Sequence, residues 1–366
     1  MMARKQRRSP IVSPQSPLRC AVFATIFKTM RPEQLLAPTS AGLFCPPGGF
    51  HIDPMRAVER ALITHAHSDH ARPGHAAVAA TAETLDLMRL RYGEDCAGTT
   101  QAVGYGERIM INGVAVTFWP AGHILGSAQI MLEAGGLRLL VTGDYKTVAD
   151  PTCAPFERLA CDVLISEATF ALPVFRHGEA ALGIGKLLRS LALFPDRTHL
   201  VGVYALGKAQ RVIALLRLAG YHSPIYMHGA LEAFTRYYAS RGFDPGPVSV
   251  AREAPRTALA GAIVLCPPVA LHDVWARRFG EPVRSLASGW MRLRARARQR
   301  GVELPLVISD HADWEELTTT VRASGASEIW VTHGREEALV HWSGTQGRKA
   351  RALNVAGYGE EDEDAA

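Results

Sequence analysis

From Leu35 onward the chain is a series of short apolar runs, each closed by a polar break. The run "RALITHAHSDH" (60–70) reads as a strand entering a loop, and "VAVTFWPAGH" (114–123) as another. "AQIMLEAGGLRLLVTGDY" (128–145) reads as two strands joined at Gly135-Gly136, a hairpin signature. "DVLISEATF" (162–170) is a further apolar run with a carboxylate near its end. Each of these runs carries His, Asp or Glu at its C-terminal end, which is how a sheet presents a site along one edge.

The pattern then changes. "EAALGIGKLLRSLALF" (179–194) is helical, "HLVGVYALGKAQRVIALLRLAG" (199–220) is strand–Gly–helix, and "PIYMHGALEAFTRYYASRG" (224–242) repeats that order. "GAIVLCPP" (261–268) and "RSLASGW" (284–290) add two short strands. Alternation of this kind predicts a parallel α/β sheet. "LPLVISDHADWEEL" (304–317) and "SEIWVTHGREE" (327–337) then return to the first pattern, with histidine at strand ends. The expected organisation is an α/β unit over 175–303 inserted into a first domain (30–174) that resumes over 304–356.

Composition places limits on this picture. With 366 residues, 48% hydrophobic and 20% charged, the chain can build one large core or two smaller ones. No run approaches the roughly 18 apolar residues of a membrane span. The apolar stretch from Cys20 to Phe27 is short and no clear A-x-A site follows it, so it is read as a mimic of an export signal. Residues 1–29, with Arg, Lys, Pro and Ser but no periodicity, are expected to be a disordered N-terminal extension, and Met30 is an alternative start. Six cysteines lie far apart without a C-x-x-C, which argues against a disulfide framework or a cysteine-based zinc site and for a reducing cytoplasm. The net charge of +5 conceals an acidic tail over 357–366, so the body is more basic than the total and suits a polyanionic partner.

The densest chemistry is "THAHSDH" (64–70). Neutral imidazole and carboxylate are good ligands for zinc and similar divalent ions. Four ligands from six consecutive residues crowd a single ion, whereas two ions can share the loop, with His65 and His67 on one and Asp69 and His70 on the other. Further ligands stand at predicted strand ends: His123 in "PAGH", Asp144 in "TGD" and His333 in "VTHG". His51, His75, His177, His199, His222, His228, His272 and His341 are read as ordinary structural or surface residues.

The H-x-H-x-D-H of residues 65–70, with His123 in "AGHILGS" and Asp144 in "TGDY", resembles the metallo-β-lactamase superfamily. Asp53 in "FHIDP" matches an upstream aspartate that in this family supports the metal loop. Glu167 in "SEATF", His311 in "SDHADW" and His333 in "VTHG" resemble the three further motifs of the β-CASP nucleases, and "ALGKAQRV" resembles a Gly-rich turn of their insert. The resemblance covers about Arg31 to Val355. Within the family, "PGGFHIDP", "THAHSDHARPG", "AGHILGSAQ", "SGWM" and "SDHADW" look most like the bacterial ligase-associated DNA exonucleases.

That resemblance implies an α/β fold, a metallo-β-lactamase αββα sandwich with an inserted β-CASP domain. It implies two divalent ions, zinc or alternatively manganese, held by His65, His67 and His123 and by Asp69, His70 and His333, with Asp144 between them. The implied reaction is attack of a metal-activated hydroxide on a phosphodiester, with His311 as general acid and Glu167 orienting it. DNA is the implied substrate, a DNA ligase and a helicase of the same repair pathway the implied partners. Arg292, Arg294, Arg296, Arg298 and Arg300, together with Lys208 and Arg211, are candidate phosphate contacts; alternation by two puts the five arginines on one face of a strand but spreads them round a helix. An RNA-processing ribonuclease on the same scaffold shares every motif, and a non-catalytic nucleic-acid-binding relative is the alternative from outside enzymology.

Overall fold

The computed structural model describes residues 30–353; the expected extension (1–29) and acidic tail (357–366) lie outside the described residues. The chain opens with a six-stranded sheet: β1 (Ala37–Thr39), β2 (Gly42–Cys45), β3 (Phe50–Ile52), β4 (Arg60–Leu62), β5 (His75–Ala80) and β6 (Ala97–Ala102), in that spatial order. A second sheet follows from β7 (Arg108–Ile111), β8 (Val114–Pro120), β9 (Ala128–Ala134), β10 (Leu137–Val141) and β11 (Val163–Ala168). The predicted hairpin joins β9 to β10 in antiparallel register, Leu137 opposite Ala134, with positive φ at both Gly135 and Gly136. That is the backbone of a tight hairpin turn, which a β-carbon at these positions would strain.

The chain then leaves this sheet. β12 (His199–Gly202), β13 (Ile225–Met227), β14 (Val248–Val250), β15 (Ile263–Cys266), β16 (Val283–Ala287) and β17 (Leu304–Leu306) form a third, all-parallel sheet in the order β14-β13-β15-β12-β16-β17. β18 (Glu328–Gly334) returns to lie parallel to β11, and β19 (Lys349–Ala352) completes the second sheet. One boundary differs from expectation. The sequence pattern assigns β17 to the returning segment, yet it pairs with β16 at the edge of the third sheet. A three-residue apolar strand has nothing in its own pattern that says which sheet it joins.

Residue parity explains the layers. Along a strand successive side chains face opposite ways. Leu139 and Val141, with Val163 and Ile165, face Leu43, Ile52 and Leu62 of the first sheet and form the buried seam between the two sheets. Leu140 and Leu164 face the other way, against Leu317 and Val321 of helix Trp314–Ala323 and Leu339 of helix Glu336–Thr345. Behind the first sheet, Ala61, Ile63 and Val78 pack on Leu85 and Met88 of helix Ala82–Tyr92. The result is an αββα sandwich. The third sheet obeys the same rule: Val201, Ile263 and Leu265 meet helices Ala180–Leu193 and Lys208–Leu218, while Leu200, Val264 and Cys266 meet Leu259, Ala276 and Trp290 on the opposite face. No helix among the described residues is long and apolar enough to cross a membrane.

Candidate metal centre and active site

The site collects at the C-terminal ends of β3, β4, β8, β10, β11 and β18. Asp53 directly follows β3 with φ 45, a backbone region that an aspartate tolerates better than most residues. Its carboxylate is buried and fully engaged. Oδ1 accepts the Thr64 backbone N–H (2.7 Å); Oδ2 accepts the Thr64 hydroxyl (2.6 Å) and the His70 Nδ1–H (2.8 Å). Having donated its one proton to Asp53, the Thr64 hydroxyl accepts from His65 Nδ1 at 3.0 Å. His65 and His70 are both fully buried, and each is held by one ring nitrogen so that the other faces inward.

His67 and His123 are held by carbonyls. His67 Nε2 donates to the Leu206 carbonyl (3.2 Å) and His123 Nδ1 to the Asp310 carbonyl (2.9 Å). A carbonyl only accepts, so in the neutral rings these nitrogens carry the protons and the opposite nitrogens present lone pairs. Those lone-pair nitrogens face each other: His123 Nε2 lies 3.0 Å from His67 Nδ1, and His65 Nε2 lies 3.2 Å from the same atom. Burial, with His311 nearby, pushes His123 down to about 3, so this ring is neutral at physiological pH. Three acceptors converging on one spot repel one another unless a cation stands among them.

Asp144, at the end of β10, joins the cluster. Its Oδ2 lies 3.4 Å from His65 Nε2, 3.3 Å from His70 Nε2 and 3.9 Å from His123 Nε2. Its Oδ1 is buried with no hydrogen-bond partner among the described residues, and burial pushes the carboxyl up to about 6 against the pull of His70 and His311. An uncompensated buried carboxylate oxygen is costly and suits a cation. On the other side of Asp144, ligand atoms of Asp69, His70 and His333 lie within 4.8 Å of one another, as do those of His65, His67, His123 and Asp144. Burial works against ionisation of Asp69, yet the neighbouring His70, His67 and His333 hold its carboxyl well below the usual range. The His333 ring stacks on His70 (centroids 4.7 Å apart, planes 8° from parallel), and His333 itself takes φ 61. The donor set fits divalent metal: His65, His67, His123 and Asp144 in one group, Asp69, His70 and His333 in the other.

His311 stands beside this cluster, its ring 4.7 Å from that of His123. Glu167, buried near the end of β11, engages it: Oε2 lies 3.0 Å from His311 Nδ1, while Oε1 accepts the Tyr145 backbone N–H at 2.8 Å. A carboxylate on Nδ1 fixes the ring and leaves Nε2 as the nitrogen that can carry a transferable proton.

No protein-family model matches the chain. Among curated proteins it is 28% identical over 321 residues to "Probable DNA ligase" of Opitutus terrae, a match covering 83% of this chain and 30% of that protein. It is 34% identical over 146 residues to "Endoribonuclease YSH1" of Yarrowia lipolytica, covering 38% of this chain and 17% of that one. It is 33% identical over 141 residues to "Cleavage and polyadenylation specificity factor subunit 3" of Dictyostelium discoideum, covering 36% and 18%. These matches support a metallo-β-lactamase-like chain of the β-CASP type. It spans less than a third of the length of these relatives.

The candidate nucleic-acid residues divide into two groups. Arg292, Arg294 and Arg298 are exposed on and beside the short helix Arg294–Gln299, so the alternating arginines spread round a helix. Arg296 is partly buried, with its guanidinium 5.1 Å from the Trp290 ring centroid, and Arg300 is also partly buried. Trp290 lies 5.0 Å from Phe170, and Phe170 lies 6.2 Å from His311, so the arginine helix is connected to His311 by ring contacts. Lys208 and Arg211 require correction as candidates for phosphate contact. Both are buried, Lys208 against Asp310 (2.7 Å) and Arg211 against Asp150 (3.1 Å). In sequence each resembles a solvated helix charge; in the fold each is neutralised by a carboxylate from outside the third sheet.

Two contributions were invisible to sequence reasoning. The Leu206 and Asp310 carbonyls orient the candidate ligands His67 and His123, and a carbonyl has no sequence signal; the one hint is that Asp310 adjoins His311. His177, read as ordinary, is buried edge-on against Phe170 (4.5 Å), and neither of its ring nitrogens has a hydrogen-bond partner among the described residues.

Proposed function

We propose that this protein is a metal-dependent phosphodiesterase that removes nucleotides from DNA ends. The observation that carries the reading is the His311–Glu167 pair beside a metal-ligand cluster. A thioesterase or lactamase would have no use for that pair. Two divalent ions, most simply zinc with manganese as the alternative, are assigned to the two ligand groups around Asp144. When bound, they would supply Lewis acidity toward a phosphate oxygen and a nucleophile at neutral pH. The chain's own residues do the rest. His311 gives a proton to the departing sugar oxygen, which leaves poorly as an alkoxide, and Glu167 holds the imidazolium in place for that transfer. Asp53 and Thr64 keep His65 and His70 turned inward. Arg292, Arg294 and Arg298 are assigned to phosphates of the incoming strand, which they position without reading sequence.

DNA is favoured over RNA by the extent of similarity. The match to the protein named as a DNA ligase runs over 83% of this chain, whereas the matches to the proteins named as an endoribonuclease and as a cleavage and polyadenylation specificity factor subunit cover 38% and 36%. On this reading the nuclease trims ends for a DNA ligase, with a helicase of the same pathway as a further partner, in the cytoplasm. The five cysteines of the described region are all unpaired, which suits that compartment. RNA processing is the second reading, supported by the names of the shorter matches. The deciding experiment offers the purified protein, with zinc or manganese, end-labelled single-stranded DNA, duplex DNA and RNA in parallel. A single-nucleotide ladder from linear DNA, with circular single-stranded DNA left intact, is expected. Cleavage of the circle, or preference for RNA of the same sequence, would transfer the assignment to the second reading.

A further inference from the structure

We propose that the buried Lys208–Asp310 ion pair couples docking of the inserted α/β unit to ligand geometry at the metal centre, which makes Lys208 a positioning residue for His67 and His123. The inference rests on the metal-centre reading above and deepens it.

The two imidazoles are oriented from opposite sides of the domain junction. His67 is held by the carbonyl of Leu206, in the turn that opens helix Lys208–Leu218 of the insert. His123 is held by the carbonyl of Asp310, in the segment that returns to the αββα sandwich. The side chain of that same Asp310 takes Lys208 at 2.7 Å, and Lys208 Nζ also donates to the Ile308 carbonyl at 3.3 Å. The connections close a ring: His67 to Leu206, two residues along the chain to Lys208, across the ion pair to Asp310, back to His123, and 3.0 Å from His123 to His67.

Gly207 makes the approach possible. It has φ 87, and a β-carbon there would lie 2.3 Å from Ile124 and 3.9 Å from His67 Nε2. Only a glycine lets this turn come close enough for the Leu206 carbonyl to reach the imidazole. Gln210 fixes the turn from within, its Oε1 accepting the Gly207 N–H at 2.8 Å. Lys208 and Asp310 are both almost fully buried, so neither charge can be satisfied by water if the other is removed. Loss of the pair therefore frees the turn and the return segment to shift, and both carbonyls shift with them.

One turn along the same helix, Arg211 makes an equally buried ion pair with Asp150, whose other carboxylate oxygen accepts from the Thr152 N–H and hydroxyl. This supplies the control. Cobalt(II) affinity, measured by chelator competition, and the visible cobalt absorption, which reports ligand geometry, are compared for the wild-type chain, Lys208→Met and Arg211→Met. Lys208→Met is expected to weaken cobalt binding by about 10–100-fold and to alter the band, as loss of a ligand-orienting partner does elsewhere. Arg211→Met is expected to lower thermal stability while leaving affinity and spectrum near wild type. If Lys208→Met fails to fold, Asp310→Asn, which keeps the backbone carbonyl and the side-chain shape, is expected to weaken binding in the same direction. Wild-type affinity in Lys208→Met, or in Asp310→Asn where that variant is used, overturns the coupling, and so does equal weakening in Lys208→Met and Arg211→Met. Failure of the wild-type chain itself to bind cobalt would instead bring down the metal-centre reading.

Discussion

Asp53 Oδ2 lies 2.8 Å from His70 Nδ1, and the same oxygen takes the Thr64 hydroxyl that in turn holds His65. One carboxylate that faces away from the cluster thus sets the orientation of two histidines that face into it. Asp53→Ala is expected to leave Thr64 and His70 without their buried partner and to weaken metal affinity by about 10–100-fold. Elemental analysis after dialysis against a weak chelator checks this; full metal retention in the variant would show that the histidines orient themselves.

Asp144 stands within 4 Å of ring nitrogens from both ligand groups. Asp144→Ala is expected to abolish turnover and to leave fewer than two ions per chain, because the carboxylate serves both groups. Undiminished activity with full metal content would remove Asp144 from the site.

The proposed function assigns His311 to proton transfer, with Glu167 on its Nδ1. His311→Ala is expected to retain metal and lose rate by about 10²–10⁴-fold. A nitrophenyl phosphodiester, whose leaving group needs no proton, should be hurt far less. Equal losses on the nitrophenyl ester and on DNA would take the general-acid role away from His311.

Glu316 caps its own helix, accepts from Thr147 and pairs with buried Lys146. Burial works against its ionisation, but Lys146 overcomes this and holds the carboxyl below its ordinary value. A carboxyl lowered on folding stabilises the fold above its unfolded pKa of about 4.3 and loses that contribution as pH falls through the folded value. The unfolding midpoint of the wild type should therefore fall on acidification below pH of about 4.3. Glu316→Gln should be less stable at neutral pH and show a shallower acid decline. Parallel acid limbs for the two proteins would exclude Glu316 as a source of the slope.

The exposed arginines predict salt-sensitive binding. Removing one arginine that binds a phosphate should reduce the slope of log affinity against log salt by about 0.7 on single strands. Replacing Arg292, Arg294 and Arg298 with Gln should flatten the slope and slow digestion of long strands while leaving metal content intact. An unchanged slope in a titration of labelled DNA would place the strand elsewhere on the surface.

Sequence by itself marked the candidate ligand set and the layers. His65, His67, Asp69 and His70 are adjacent in the chain, so local order alone brings them together. Asp144, Glu167 and His333 stand at or near the ends of apolar runs that are parallel neighbours in one sheet, and His123 follows β8, which runs the same way as β10 because antiparallel β9 lies between them, so all four ends reach one edge. The parity of Leu139, Leu140 and Val141 likewise states which side chain faces which layer. Only the tertiary structure decided what lies between these elements. Lys208 and Arg211 carry the signature of a solvated helix face, and their burial depends on Asp310 and Asp150, which come from distant loops. β17 joined the third sheet because β16 offered it an open edge, a fact about neighbours rather than about three apolar residues. The Leu206 and Asp310 carbonyls that fix the tautomers of His67 and His123 belong to the backbone, which every residue shares, so no side-chain pattern could mark them. Local chemistry repeats along a chain and can be read from it; a buried charge or an orienting carbonyl acquires its role from a partner that only folding supplies.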